Sequence, residues 1–237
     1  MKLVVGNQKS YMDENKVGGF IEKLNNINHN HVIICPSFIY LDKFKSSKFL
    51  LGSQNVSSFD GGANTGEILC EQLKSIGINI SIVGHSERRQ KLNESNEDIN
   101  IKIKRLLDNK MTPILCVGES KEEKENGETT AILLSEIEGA LKEVPLDLIS
   151  KIIIAYEPIW SIGTGDIPSN DEIEAIIKYI KTILKDNYNS SNTVLYGGSV
   201  NSKNIDELNK IDVVDGYLVG GASAKIDEFL EIINKCQ

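Results

Sequence analysis

Residues 151–165 read KIIIAYEPIWSIGTG, and the order of residue types in this stretch decides the fold. Ile152, Ile153, Ile154 and Ala155 form an unbroken apolar run. A strand with one wet face alternates apolar and polar residues, whereas a parallel strand covered on both faces does not. The run ends in Tyr156, a carboxylate (Glu157) and a proline, and a glycine-framed segment with the single tryptophan, Trp160, follows. A buried strand that delivers an acidic side chain into a loop is a pattern of α/β proteins, in which function collects beyond the carboxyl ends of the strands.

Working outward, the same kind of run recurs. Eight strand candidates emerge: Lys2–Gln8, His31–Cys35, Phe49–Val56, Asn79–Gly84, Thr112–Val117, Lys151–Tyr156, Thr193–Gly197 and Gly216–Val219. Amphipathic segments lie between them. In Asp171–Lys185 the residues Ile173, Ile176, Ile177, Ile180, Ile183 and Leu184 share one helical stripe, with Ser169 and Asn170 placed to cap it. Asn96–Asp108 repeats the pattern through Ile99, Ile103, Leu106 and Leu107. Strands alternating with helices imply a parallel sheet. No linker-like stretch divides the 237 residues, so the expectation is one domain over residues 1–237, a closed (β/α)8 TIM barrel ringed by helices. The acidic run ESKEEKENGE (residues 119–128) reads as a solvated helix face.

Composition narrows the function classes. A formal charge of −8 speaks against nucleic acid as a partner, since polyanion binding needs a basic surface. Cys35, Cys70, Cys116 and Cys236 are widely spaced, without a C-x-x-C pair or a histidine at ligand spacing, which favours reduced thiols over a metal or disulfide framework. MKLVVGNQKS lacks the apolar length of a signal peptide, and no apolar stretch approaches a membrane span. The expected location is the cytoplasm, with no membrane partner.

If the barrel is right, chemistry sits where the strands end. Asn7 and Lys9 follow the first strand, at a spacing that puts both on one face of an extended segment. His85 follows the fourth strand and Glu157 the sixth. Gly197-Gly198-Ser199 follows the seventh, and Gly220-Gly221-Ala222-Ser223 the eighth. Glycine lets backbone N–H groups approach an anion closely, so the last two turns read as a phosphate cradle. A short helix from about Gly221 would add its dipole.

The motifs GNQK (6–9), VGHSERR (83–89), CVGE (116–119), AYEPIWSIGTG (155–165), YGGSV (196–200) and LVGGAS (218–223) together resemble the motif series of the triosephosphate isomerases, in order and over nearly the whole chain. The resemblance implies an isomerase of glycolysis and gluconeogenesis. It would interconvert dihydroxyacetone phosphate and D-glyceraldehyde 3-phosphate through an enediolate, without metal or organic cofactor, as a homodimer.

It also implies roles for particular residues. Glu157 would be the base; a solvated glutamate, with a pKa of about 4.3, is too weak for that task, so a desolvated carboxylate is expected. His85 would be the electrophile, kept neutral by a helical turn starting at Ser86. Lys9 would supply positive charge, oriented by Glu87. Asn7, Lys9, Gly163, Ser199, Gly220 and Gly221 would bind substrate, and residues 158–164 would form a lid whose closure excludes water. His29 and His31 fall before the second strand, at the wrong end for chemistry. Arg88, Thr65 and Glu67 match positions of the subunit contact, and Cys116 matches a buried packing position.

Gln8 stands where the family usually has tryptophan, Ser10 where it has an apolar residue, and Asn64 where an aromatic is common. These departures predict a more polar and weaker subunit contact. The alternative functional reading is a non-catalytic sugar-phosphate-binding paralogue on the same barrel, because fold alone does not fix function.

Overall fold

A computed structural model describes residues 1–26, 31–45 and 48–237. Among the described residues eight strands form one sheet: β1 (Leu3–Asn7), β2 (Val32–Cys35), β3 (Leu50–Leu51), β4 (Ile80–Val83), β5 (Thr112–Val117), β6 (Ile153–Tyr156), β7 (Val194–Tyr196) and β8 (Gly216–Val219). Their spatial order is β3-β2-β1-β8-β7-β6-β5-β4, and every pairing is parallel. A parallel bridge between Ser53 and Ser81 joins the two ends of that order and closes the ring. The helices are α1 (Glu14–Leu24), α2 (Cys70–Ser75), α3 (Ser86–Leu92), α4 (Asn96–Asp108), α5 (Lys121–Glu125), α6 (Thr129–Leu141), α7 (Leu146–Ile149), α8 (Asn170–Tyr188), α9 (Ile205–Leu208) and α10 (Ile226–Lys235). This is the TIM barrel that the alternation of runs implied.

Apart from the short β3, the strands are largely apolar because both of their faces are buried. Val5, Ile33, Ile82, Ile114, Ala155, Leu195 and Leu218 pack together in the barrel interior. Their neighbours Val4, Ile34, Val83, Leu115, Ile154, Val194 and Val219 belong to a separate layer, shared with the helices. The helix stripes complete that outer layer: Ile173, Ile177, Ile180, Ile183 and Leu184 of α8, and Ile99, Ile103, Leu106 and Leu107 of α4, are all buried. Truncating such a residue to alanine typically costs about 2–5 kcal/mol. Ser169 caps α8 through a reciprocal pair with Glu172, and Ser95 caps α4 in the same way with Asp98.

Three expectations need correction. The third strand spans Leu50–Leu51, not Phe49–Val56, because the chain changes partners there. The Gly52 N–H still donates to the Ile34 carbonyl of β2, but Ser53 already bonds to Ile80 and Ile82 on the β4 side. The sequence beyond Gly52 therefore seals the barrel without extending a ladder. Second, the run 119–128 is not uniformly solvated. The helix α5 within it buries no side chain, yet Glu119 ahead of it is buried. Third, Gln8 does not face outward. Its side chain is fully buried, with Nε2 3.5 Å from the Ser223 carbonyl, so it adds no polarity to a subunit contact.

Candidate active site

A cavity of about 570 Å³ opens at the carboxyl ends of the strands. Asn7, Lys9, His85, Glu157, Gly163, Ser199, Gly220 and Gly221 all line it; these are the eight positions singled out in the sequence. Five of the eight strands deliver them: Asn7 ends β1 and Lys9 follows it, and the others lie in the segments after β4, β6, β7 and β8. His29 lies outside the described residues. His31 comes just before β2, at the opposite end of the barrel from the cavity.

The first strand stops at Asn7, and Lys9 is not extended as its spacing implied. Its φ is +47°, in the left-handed region that side chains avoid, at a cost on the order of 1–3 kcal/mol. Its own surroundings over-determine that conformation. Asn7 Oδ1 accepts the Lys9 N–H at 3.1 Å. The Lys9 carbonyl accepts from Ser37 Oγ at 2.8 Å and from Gln54 Nε2 at 2.8 Å. The turn sends Lys9 Nζ to Glu87 Oε1, 2.8 Å away. Burial opposes the charge on Glu87, but the hydrogen bond and charge of Lys9 outweigh it and hold the carboxyl below its ordinary value.

His85 is the residue immediately before α3, and its Nδ1 accepts the Glu87 N–H at 3.2 Å. A lone pair engaged at Nδ1 leaves Nε2 to carry the proton of the neutral ring. Nε2 points at Glu157 Oε1, 3.2 Å away, and Glu157 Oε2 accepts the Ser86 N–H at 3.3 Å. Glu157 is only 3% exposed. Its carboxylate is thus shielded from solvent. Two groups 3.2 Å apart leave no space between them for a carbon chain. Gly197 lies close against the carboxylate: a Cβ there would lie 2.9 Å from Glu157 Cγ. Behind Glu157, burial and the neighbouring Glu157 charge push the Cys116 thiol well above its ordinary value, which makes Cys116 an inert packing residue.

The segment after Glu157 has a fixed root and an exposed tip. The Ile159 N–H donates to the Glu119 carbonyl at 3.0 Å. Trp160 Nε1 donates to Glu119 Oε1 at 2.8 Å, and the Tyr156 hydroxyl donates to the same oxygen at 3.1 Å. Burial raises the Glu119 carboxyl above its ordinary value, against the pull of those donors. Lys124 Nζ sits 3.7 Å over the Trp160 ring. Ser161 is fully buried, and its Oγ bonds the Asp166 carbonyl at 2.6 Å. Between these anchors, Gly163 and Gly165 adopt φ of +72° and +86°, and residues 163–167 are exposed. Ile162 and Gly163 edge the cavity.

The opposite wall consists of backbone. A Cβ on Gly198 would meet Tyr196 Oη at 2.2 Å, so only glycine lets that turn lie flat. The Ser199 N–H contacts Ser161 Oγ at 3.3 Å. After β8 the expected helix start is a single 3-10 turn, Gly221–Ala224, with α10 beginning at Ile226. Its dipole is correspondingly small. Lys9 Cε would lie 3.4 Å from a Cβ on Gly220, so the lysine chain spans from the cradle to Glu87.

Some cavity residues were not legible in the sequence. Leu218 forms an apolar wall, and its inward direction follows from strand alternation once β8 is placed. Tyr11, Lys16 and Lys225 stand at the mouth, where no local motif marks them. Among the described residues no group of His, Cys, Asp and Glu gathers to hold a metal ion.

Comparison with known proteins agrees with this architecture. The family model described as triosephosphate isomerase matches residues 2–236. A protein of Alkaliphilus metalliredigens named triosephosphate isomerase is 44% identical over 211 residues, covering 86% of this chain and 85% of the relative. Proteins of the same name from Mycoplasmoides gallisepticum and Francisella philomiragia are 40% and 32% identical. They cover 98% and 99% of this chain, and 97% and 96% of their own lengths.

Proposed function

The chain belongs to the triosephosphate isomerase family, and from that premise we propose that its cavity interconverts dihydroxyacetone phosphate and D-glyceraldehyde 3-phosphate. The observation that carries the reading is the buried Glu157 carboxylate, 3.2 Å from His85 Nε2, on the rim of a cavity whose far side is made of glycine turns.

In this reading the substrate phosphate rests on the N–H groups of the Gly198-Ser199 and Gly220-Gly221 turns. Asn7 and Lys9 Nζ bind its oxygens. The carboxylate of Glu157 swings onto the substrate and removes the proton from C1 of dihydroxyacetone phosphate. The C1–H electron pair becomes the C1–C2 double bond, and the C2 carbonyl pair moves onto oxygen. His85 Nε2–H and the Lys9 charge stabilise that oxygen. Protonated Glu157 then returns its proton to C2, and the C1 hydroxyl proton passes to the C2 oxygen beside His85, so that C1 becomes the aldehyde and C2 carries the hydroxyl. Base, donor and fixed charge suffice, and no cofactor takes part. Closure of residues 158–164, with the Gly163 N–H on the phosphate, keeps water from the enediolate, which would otherwise eliminate phosphate.

The test is a coupled assay of triose phosphate interconversion on the purified protein. Turnover that follows enzyme concentration is expected; an inert protein that still binds inorganic phosphate would favour the non-catalytic paralogue.

Two further parts of the reading rest on family membership. A homodimer is supported by the exposed Ile39, Phe59 and Leu92 and by a second hollow that shares Lys9 and His85 with the site and is edged by Ser10, Arg88 and Leu92. Thr65 and Glu67, on an exposed loop, would be the segment offered to the partner. Light scattering should give twice the 26.2 kDa of one chain; a particle of single-chain mass at micromolar concentration would remove this part. A cytoplasmic location agrees with four buried free cysteines. Among the described residues no helix is long and apolar enough to cross a membrane.

A further inference from the structure

Behind the cavity lies a buried guanidinium to which neither the motif reading nor the mechanism gives a task. Arg89 projects from α3 into the junction of β4, β5, α4 and α6. Its Nε donates to the Gly84 carbonyl at 2.8 Å. One terminal nitrogen donates to the Cys116 carbonyl at 3.2 Å. The other donates to Asn96 Oδ1 at 2.7 Å and lies 3.3 Å from Glu136 Oε1. The side chains of Arg89 and Glu136 are each only 13% exposed. The second oxygen of Glu136 accepts the Gly118 N–H at 2.9 Å.

The residues pinned here are the immediate neighbours of the reacting groups. Gly84 precedes His85, and its φ of +69° makes the turn that aims the imidazole inward. Cys116 and Gly118 flank Val117, whose carbonyl accepts the Glu157 N–H at 2.8 Å. Gly118 itself lies against the Glu157 backbone so closely that a Cβ would fall 1.8 Å from the Glu157 carbonyl oxygen. One planar cation therefore ties the peptide before His85 to the end of β5, to which the Glu157 peptide is hydrogen-bonded. Its counter-ion ties down the next peptide along.

We infer that Arg89, with Glu136 as its buried counter-ion, is a positioning residue for the isomerisation: it fixes the ends of β4 and β5 and so sets His85 against Glu157. The inference rests on the proposed reaction. A guanidinium is needed because its donors radiate in one plane toward carbonyls on two strands, an amide and a carboxylate; an ammonium is a point charge and reaches fewer of them at once. Misplacement of reacting groups by about 1 Å costs on the order of a hundredfold in rate. The phosphate cradle hangs from β7 and β8, not from the strand ends that this network pins.

The experiment compares wild type, Arg89→Lys and Arg89→Met. The probes are turnover, inhibition by inorganic phosphate, and inhibition by a phosphoglycolyl hydroxamate, whose planar O–C–N–O unit copies the enediolate. Inhibition constants do not depend on the fraction of active protein, which separates mispositioning from partial unfolding. In both variants kcat should fall roughly tenfold to a hundredfold, and hydroxamate affinity roughly tenfold or more, while phosphate inhibition stays within about twofold. Arg89→Lys keeps the charge opposite Glu136, so it decides the matter if the methionine variant does not fold. Hydroxamate and phosphate affinities both at wild-type values in Arg89→Lys would overturn the inference, as would a parallel loss of both. Wild-type protein without turnover would instead remove the reaction on which the inference rests.

Discussion

The two walls of the cavity are made of different material. In the proposed reading the working groups on the β4–β6 side are side chains, His85 and Glu157, each held by bonds to backbone: Glu87 N–H on Nδ1 and Ser86 N–H on Oε2. On the β7–β8 side they are, in the same reading, main-chain N–H groups in glycine turns. The first wall is sensitive to what a side chain is, because reach and proton position decide its use. The second is sensitive to whether a side chain exists at all, because a Cβ fills the space the backbone needs.

That contrast can be broken or sharpened by substitution. The largest effect is expected from His85→Gln. It keeps an N–H donor of similar length but loses the imidazole, and kcat should fall about 10²- to 10⁴-fold with little change in KM; a KM effect alone would move His85 to the binding wall. Next comes Gly198→Ala. Its new Cβ would overlap Tyr196 Oη at 2.2 Å, and the displaced turn should weaken inorganic phosphate inhibition by about tenfold, roughly 1.4 kcal/mol. Unchanged inhibition would mean the cradle lies elsewhere. Ser199→Ala removes a hydroxyl but not the N–H, and phosphate inhibition should stay within about twofold, well under the roughly 1 kcal/mol of an ordinary hydrogen bond. A large loss would show that the second wall binds through side chains after all.

A fourth expectation concerns stability instead of rate, and its effect is smaller at the site than any of these. Burial pushes the Glu136 carboxyl up to about 7 from an ordinary 4.5, against the pull of Arg89 and the Gly118 N–H and with help from the Glu123 and Glu157 charges. The folded-state value is raised, so the associated stability is fully present below about pH 4.5 and is lost as pH rises toward and through 7. The shift corresponds to a penalty on the order of 3 kcal/mol once Glu136 is ionised. Glu136→Gln mimics the protonated form. Its Tm should therefore match wild type at pH 4 and exceed it at pH 8; a lower Tm at both values would show that the ion pair with Arg89 outweighs its desolvation.

The sequence disclosed the two walls unequally. Strand positions were legible because strands covered on both faces leave unbroken apolar runs, as in Ile152–Ala155. The glycine turns were legible as chemical types, and their place after the last two strands made them a cradle. The third strand was overextended because nothing in Phe49–Val56 marks the change of partner at Gly52. The left-handed turn at Lys9 was invisible, since bonds from Gln54 and Ser37, remote in sequence, impose it. Glu119 was read with its charged neighbours, yet the two donors that justify its burial, on Tyr156 and Trp160, sit 37 and 41 residues away. Arg89 looked like one more charge in a recognisable block, because its partners come from three other elements. Local pattern thus reported which elements exist and where they end. Long side chains that cross between elements became readable only when the elements were assembled.

The central claim is that Glu157 is the base, acting beside His85 on a ligand anchored by its phosphate. Glu157→Asp tests it most directly, by shortening the carboxylate one methylene while keeping its charge. Turnover and inorganic phosphate inhibition should be measured on the same preparation. A kcat lower by roughly a hundredfold or more, with phosphate inhibition within about twofold of wild type, is the predicted result; turnover equal to wild type would contradict it.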